Sequence, residues 1–357
     1  MKKPWILIGI FFLSVSCTTT PYQPAPDSVS IMAYNVENLF DNQDDPGKDD
    51  ETYMSKKSKQ SPRHRMTCSG MSNPYYRQQC QELDWSDSKI QRKLKRIAHV
   101  ILQVKKGLGP DIVILEEVEN EKILEKLRKS YLQKAVYQKG ILLEGPDKRG
   151  IDVAMLSRYP LVGKPILHPV QWIPDPKKNK SARPTRGILQ AQFRLPTGDV
   201  LTVFGVHFPS QGNPVGYRWA AIETLRKAKQ ALPEDSLVVV GGDFNITAEE
   251  EGEKGLFKSL ANEFYISHFE GCSQCEGTHN YRGSWSFLDA LLFSKNLKTQ
   301  GRWKYVPESI RVANKSIYQL NNWGAPARFQ EGISQVGVSD HFPIVAEIVP
   351  VKAKVAQ

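Results

Sequence analysis

Long apolar runs are missing from this sequence. The one candidate, residues 5–13, is too short to cross a bilayer as a stable helix. No internal repeat is visible, which sets aside solenoids and propellers. Cysteine is sparse, with five in 357 residues. The spacing does not suit a four-ligand zinc site: two residues separate Cys272 from Cys275, but eleven separate Cys68 from Cys80. An acidic excess is lacking too. Lys and Arg number 48 against 38 Asp and Glu, a formal charge of +10. That balance suits polyanionic partners, either nucleic acid or an anionic membrane surface, and equally a basic solvated surface that serves solubility.

What is present is ordinary for a globular protein, with 40% apolar and 24% charged residues. The length would hold two domains, yet no break in composition divides the chain after residue 28. One large domain is therefore expected at 29–350. Residues 1–16 read as an export signal: Lys2 and Lys3, then the apolar run, then small residues. Cys17 follows at a position suited to lipid attachment. Ser14 stands where such signals usually carry an aliphatic residue, so simple cleavage after Ser16 is the competing route. Residues 17–28 fit a lipid-anchored Cys and a polar, Pro-rich tether. The expected address is a bacterial cell envelope, as an outer-membrane lipoprotein or as a periplasmic or extracellular protein. With Cys17 lipidated, four Cys remain. An even remainder suits an oxidising compartment and two local disulfides, Cys68–Cys80 and Cys272–Cys275. Taken alone, Cys272-x-x-Cys275 would also fit zinc or redox chemistry. No protein partner is evident, and a monomer is expected.

Residues 29–34 alternate in polarity and read as a strand ending at Asn35. A polar insertion at about 41–85 follows. It opens acidic with Asp41, Asp44, Asp45, Asp49, Asp50 and Glu51; this run fits a solvated loop better than a calcium site. Residues 86–104 carry Ile90, Leu94, Ile97, Ile101 and Val104 at helical spacing. Residues 112–115 form a buried strand running into Glu116 and Glu117. Further helices are expected at about 121–129 and 217–231. Further strands are expected at 135–142, 151–156, 187–193, 200–206, 237–240, 287–293 and 344–348. Strand-rich blocks with a few inserted helices suggest sheet packed on sheet, covered by helices.

Polar residues gather at the ends of these strands. Asn35 and Glu37 follow the first, Glu117 the second and His207 the strand at 200–206. Asp243 and Asn245 close the next, Asp289 sits in an apolar strand, and Asp340 and His341 precede the last. Strand ends suit a site because the sheet fixes the backbone and frees the side chain. Asn, Asp and Glu oxygens favour a hard cation: magnesium first, with manganese or calcium possible on the same chemistry. Two His without a Cys partner suit acid–base work better than structural zinc. A buried carboxylate such as Asp289 needs a partner, and a His would serve. Arg183 and Arg186 offer forked donors for flanking phosphates, or else form part of a solvated basic loop.

Taken in order, the motifs resemble the endonuclease/exonuclease/phosphatase superfamily, which includes deoxyribonucleases, abasic-site endonucleases, sphingomyelinases and inositol polyphosphate 5-phosphatases. The matching segments are Tyr34-Asn35-Val36-Glu37-Asn38-Leu39-Phe40, Leu115-Glu116-Glu117-Val118, 150–157, Gly205-Val206-His207-Phe208-Pro209-Ser210, Gly242-Asp243-Phe244-Asn245, Ser286-Phe287-Leu288-Asp289 and 339–344. Glu116 departs from the family, which often has Gln there, and the long insertion before residue 85 is a second departure. The resemblance implies a four-layered α/β/β/α sandwich, two mixed sheets face to face with helices outside and the site at one sheet edge. It implies Glu117 as principal metal ligand, with Asn35, Glu37 and Asp340. It implies Asp243 and Asn245 beside the scissile phosphate, His341 paired with Asp289, and His207 facing the phosphate. The expected activity is metal-dependent phosphodiester hydrolysis, in particular an exported nuclease acting on DNA or RNA. The alternatives are a phosphoesterase acting on a phospholipid or inositol phosphate, and an inactive polyanion-binding surface protein.

Overall fold

The computed structural model describes residues 25, 27–171, 185–298, 302–329 and 336–351. The export signal, Cys17 and Arg183 lie outside the described residues.

Fourteen strands are present among the described residues. They are β1 (Val29–Leu39), β2 (Ile112–Val118), β3 (Ile141–Leu142), β4 (Asp152–Ser157), β5 (Ile166–His168), β6 (Ile188–Arg194), β7 (Val200–His207), β8 (Leu237–Asp243), β9 (Phe264–Ile266), β10 (His279–Tyr281), β11 (Ser284–Ser286), β12 (Asp289–Ser294), β13 (Trp303–Val312) and β14 (Ile344–Pro350). One six-stranded sheet runs β13-β14-β1-β2-β4-β3, and a second runs β5-β6-β7-β8-β12-β9. Strands β10 and β11 make a separate hairpin. Both sheets are mixed: β1 and β2 are parallel, as are β7 and β8, while the other pairs are antiparallel.

Alternation along β1 builds the layers. Ile31 and Ala33 point into the apolar layer between the sheets, which they share with Ile114, Met155, Val203 and Leu291. Met32, Tyr34 and Val36 point the other way, against helices α3 (Asp87–Leu102) and α4 (Glu121–Tyr131). These helices follow α1 (Pro62–Ser69) and α2 (Pro74–Glu82) of the insertion. Behind the second sheet lie α5 (Val215–Gln230), α6 (Ala248–Lys254) and α7 (Leu256–Leu260). Ile222, Leu225, Leu256 and Phe257 pack there on Phe204, Val240 and Leu292. Period-two side chains of the strands thus serve two apolar layers at once. The result is the expected four-layered α/β/β/α sandwich. No helix of the described residues is long and apolar enough to cross a membrane.

Two disulfides are present as expected, Cys68–Cys80 and Cys272–Cys275. The first joins α1 to α2. These helices are capped by side chains: Ser61 Oγ accepts from the His64 N–H at 3.2 Å, and Asn73 Oδ1 from the Tyr75 N–H at 2.9 Å.

Candidate active site

Strand register assembles the site. Strand β7 runs parallel to β8 and aligns His207 with Asp243. Strand β12 runs antiparallel on the other side of β8 and aligns Asp289 with the same Asp243. Three polar side chains therefore stand in a row across one sheet edge. Gly242 brings the chain there. Its φ is +143°, and a Cβ would lie 2.0 Å from the Val206 carbonyl oxygen, so only glycine fits.

The first sheet supplies the facing wall. Strands β1 and β2 stay in register to Asn35 opposite Glu116, then shift before Leu39 opposite Val118. At that irregularity Glu37, Asn38 and Glu117 all take left-handed backbone, with φ of 53°, 57° and 64°. Asn245 does the same after β8, with φ of 52°. Left-handed non-glycine residues cost free energy and gather at functional sites. The segment before β14 closes the site: Ser339 Oγ donates to the Asn35 carbonyl at 2.6 Å and accepts from the His341 N–H at 3.0 Å.

Asp243 is the hub. Asn35 and Asn245 each donate a side-chain N–H to its Oδ2, at 3.1 and 3.0 Å, and the Asn245 backbone N–H donates to Oδ1 at 2.8 Å. His207 Nε2 lies 3.6 Å from Asp243 Oδ2, and His341 Nε2 lies 4.0 Å from it. On its far side His341 Nδ1 bonds Asp289 Oδ2 at 2.7 Å. The two imidazoles are pushed in opposite directions. Burial alone would strip the proton from His341, but Asp289, Asp243 and Asp340 outweigh it and raise the ring well above the ordinary value. His207 is lowered well below it by burial, with Arg186 and Arg149 adding to the effect. The surroundings of His341 thus favour the charged ring, and those of His207 the neutral one.

The carboxylates read as cation ligands stand on the facing wall but are not all gathered. Glu117 accepts from the Asn38 N–H at 2.9 Å and lies 3.9 Å from His207 Nε2. Glu37 accepts from the Phe329 N–H at 2.9 Å. Arg328 bridges Glu37 and Asp340, at 3.1 and 2.6 Å. Burial and Asp340 push the Glu37 carboxyl up to about 7. Among the described residues, two groups at this site bring their ligand atoms within 4.8 Å of one another, Asp243–Asp289–His341 and His279–Asp340–His341, and neither contains Glu37 or Glu117. Glu37, Glu117 and Asp340 offer only oxygen donors, which suits a hard divalent cation, with Arg328 now paired to two of the three.

Several residues differ from the sequence reading. Arg186 is not an open phosphate fork: it donates to Asp147 at 2.9 Å and to the Phe208 carbonyl at 3.3 Å, and its side chain is 10% exposed. Arg149 and Arg328 are the more exposed cations at this site, at 49% and 60% of the side chain, though Arg149 bonds Asn38 and Arg328 pairs with Glu37 and Asp340. Lys93 is buried behind them, donates to the Val338 carbonyl at 2.7 Å, and is lowered to about 8 by burial despite nearby Glu37 and Asp340. His279 lies with its ring centroid 4.9 Å from that of His341. None of these four residues sits at the end of an apolar strand, which is the signal that picked out the others. Glu116 is fully buried, and neither of its carboxyl oxygens has a partner.

Comparison with known proteins agrees with this architecture. Residues 72–349 match the Endonuclease/Exonuclease/phosphatase family, so the chain belongs to that family of phosphoester-cleaving hydrolases. Asn35 and Glu37 precede the matched stretch. An endonuclease/exonuclease/phosphatase from Beutenbergia cavernae is 15% identical, covering 92% of this chain and 73% of that one, with a TM-score of 0.56. A second from Bacteroides vulgatus is 15% identical over 91% and 99%, with a TM-score of 0.52. TDP2 of D. rerio, solved with a single-strand DNA product, is 14% identical over 90% and 98%, with a TM-score of 0.51. No curated protein sequence matches the chain.

Proposed function

We propose that this protein hydrolyses phosphodiester bonds in nucleic acid, with a divalent cation, at a bacterial cell envelope. The observation that carries the reaction is the row His207–Asp243–Asp289, completed by His341 across one sheet edge. Held by Glu117 with Asn35, Glu37 and Asp340, magnesium would neutralise charge developing on the scissile phosphate. Asp243, fixed by Asn35 and Asn245, orients the attacking water and takes its proton. His341, kept protonated by Asp289, donates to a phosphate or leaving-group oxygen. His207, neutral, donates one N–H to a second phosphate oxygen.

Three features favour nucleic acid as substrate. The more exposed cations Arg149 and Arg328 flank the carboxylates. Tyr75 and Tyr76 at the start of α2, 64% and 61% exposed and within electrostatic range of these arginines, offer faces on which unpaired bases can stack. The D. rerio relative was crystallised with a DNA product. The address rests on the basic, apolar and small-residue order of residues 1–16 and on Cys17.

The test is purified protein with plasmid DNA, RNA, sphingomyelin and an inositol phosphate, with and without magnesium. Nucleic acid should be cut, chelation should abolish cutting, and Glu117→Ala should lower it by orders of magnitude. Full activity in a strong chelator would refute the cation role. Turnover of phospholipid or inositol phosphate alone would refute the substrate, and binding without turnover the enzyme. Labelled palmitate should enter the wild-type chain in cells and not Cys17→Ser.

A further inference from the structure

A second group of carboxylates lies where the insertion begins, and the site above does not use it. Asp45, Asp50 and Glu119 bring ligand-type oxygens within 4.8 Å of one another. Asp50 and Glu119 are 1% and 2% exposed. Each commits one oxygen to a backbone amide: Asp50 Oδ2 accepts from the Asp45 N–H at 2.9 Å, and Glu119 Oε2 from the Asp41 N–H at 2.6 Å. The second oxygens, Asp50 Oδ1 and Glu119 Oε1, are buried without any donor. A buried carboxylate oxygen in that state is unfavourable unless a positive charge meets it or the carboxyl takes up a proton.

No such charge comes from a described side chain. Lys48 is committed to Glu144 and to the carbonyls of Gly145 and Asp147. Arg149 is committed to Asn38 and lies beside Glu117. Among the described residues, the one side-chain donor within the group is the Asn120 amide. Its Nδ2 faces Glu119 Oε2 at 3.2 Å, Asp41 Oδ2 at 3.3 Å and Asp45 Oδ2 at 3.4 Å, so two hydrogens serve three carboxylates. The amide cannot turn over, because Asn120 Oδ1 caps α4 through the Ile123 N–H at 3.0 Å. Burial, with repulsion from Asp44 and Glu51, pushes the Asp50 carboxyl up to about 6, as expected where positive charge is missing.

We propose that Asp45, Asp50 and Glu119, with Asp41 at the rim, bind a calcium ion apart from the catalytic cation. All-oxygen, carboxylate-rich ligands on a loop suit calcium, whereas magnesium demands a tighter octahedral cage. The ion would clamp the insertion to the end of β2, two residues beyond Glu117. Just downstream Tyr53 stacks on Phe40, with centroids 3.9 Å apart, so the clamp would set the whole entry of the insertion.

The test uses the full chain with Glu117→Gln, which disables the catalytic cation site, and compares it with the same chain also carrying Asp45→Asn and Asp50→Asn. Asn keeps an acceptor for the Asp45 N–H. Equilibrium dialysis against radioactive calcium should find one ion per chain more on the first than on the second. Calcium should raise the melting temperature of the first only. Glu119→Gln in the Glu117→Gln chain should lose the same ion by a change on a different element. Equal stoichiometry, no calcium on the Glu117→Gln chain, or a calcium-induced rise that survives the substitutions would overturn the proposal. Cleavage activity is not read, so the outcome is independent of the proposed reaction.

Discussion

The pairing of His341 with Asp289 makes a quantitative prediction. Asp289 is fully buried and His341 nearly so. Asp289 Oδ2 meets the ring at 2.7 Å, and Oδ1 has no partner. The imidazole is therefore the side-chain partner on which the carboxylate depends. Removing one member of a buried pair costs about 3–5 kcal/mol, because the other charge is stranded. His341→Ala should lower the unfolding free energy by that amount. Asp289→Asn strands no charge, since the ring can release its proton, and should cost less, about 1–3 kcal/mol. The double substitution should cost less than the sum, by roughly 2 kcal/mol. Rates should show the same coupling more sharply. A positioned acid–base group contributes on the order of 10²–10⁴-fold, or about 3–5 kcal/mol of barrier. If the two residues act as one unit, either substitution takes most of that and the double takes little more. The assays are urea unfolding in chelator and initial rates on the preferred substrate. Rate losses that multiply, together with stability losses that add within about 0.5 kcal/mol, would refute the pairing.

Three further outcomes follow from buried groups elsewhere. Asp111 accepts from the Ser30 N–H and Oγ–H at 2.8 and 2.7 Å, pairs with Lys105, and meets Arg158 at 2.6 Å. Burial alone would raise its carboxyl, but these partners hold it below the usual value. Its stabilisation is therefore present above the unfolded value of about 3.9 and is lost as pH falls toward the folded one. Asp111→Asn should cost about 1–3 kcal/mol at pH 7, and the gap from wild type should narrow below about pH 4; a gap constant with pH would contradict this. Reducing Cys68–Cys80, which are 12 apart in sequence, should remove about 2–3 kcal/mol of stability. Non-reduced peptide mapping of protein from the periplasm should recover both disulfides, and four free thiols would count against them. Glu116→Gln removes a carboxyl group that has no partner on either oxygen, so its thermal midpoint should not fall. A loss above about 2 kcal/mol would point to an unrecognised partner.

How much of this was legible in the sequence depends on where the physical signal sits. Period-two alternation identifies β1, and helical spacing identifies α3, observed at Asp87–Leu102 against an expected 86–104. Strands that are apolar on both faces announce themselves, so the row of polar residues at their ends could be read directly. Strand β13 went unread because it lies at a sheet edge, carries Pro307 and is only partly buried, so its pattern is weak. The strand expected at 135–142 shrinks to Ile141–Leu142, because Val136 turns left-handed after a short helical turn. Helices α1 and α2 had no apolar stripe to reveal them; caps and a disulfide hold them. The same logic explains the missed site residues. Arg149, Arg328, Tyr75 and Tyr76 arrive on loops and on the insertion, where position is set by tertiary contacts rather than by periodicity. Most telling are Glu37 and Glu117. Propensity favours neither residue at positive φ, yet both take it where the β1–β2 ladder slips. In regular strand geometry their side chains would follow the pleat into a sheet face. Breaking the ladder at that point brings Glu117 to 3.9 Å from His207 and sets Glu37 against Arg328 and the Phe329 N–H. The strain at this edge and the placement of the two carboxylates are thus one structural fact, readable only once the register is known.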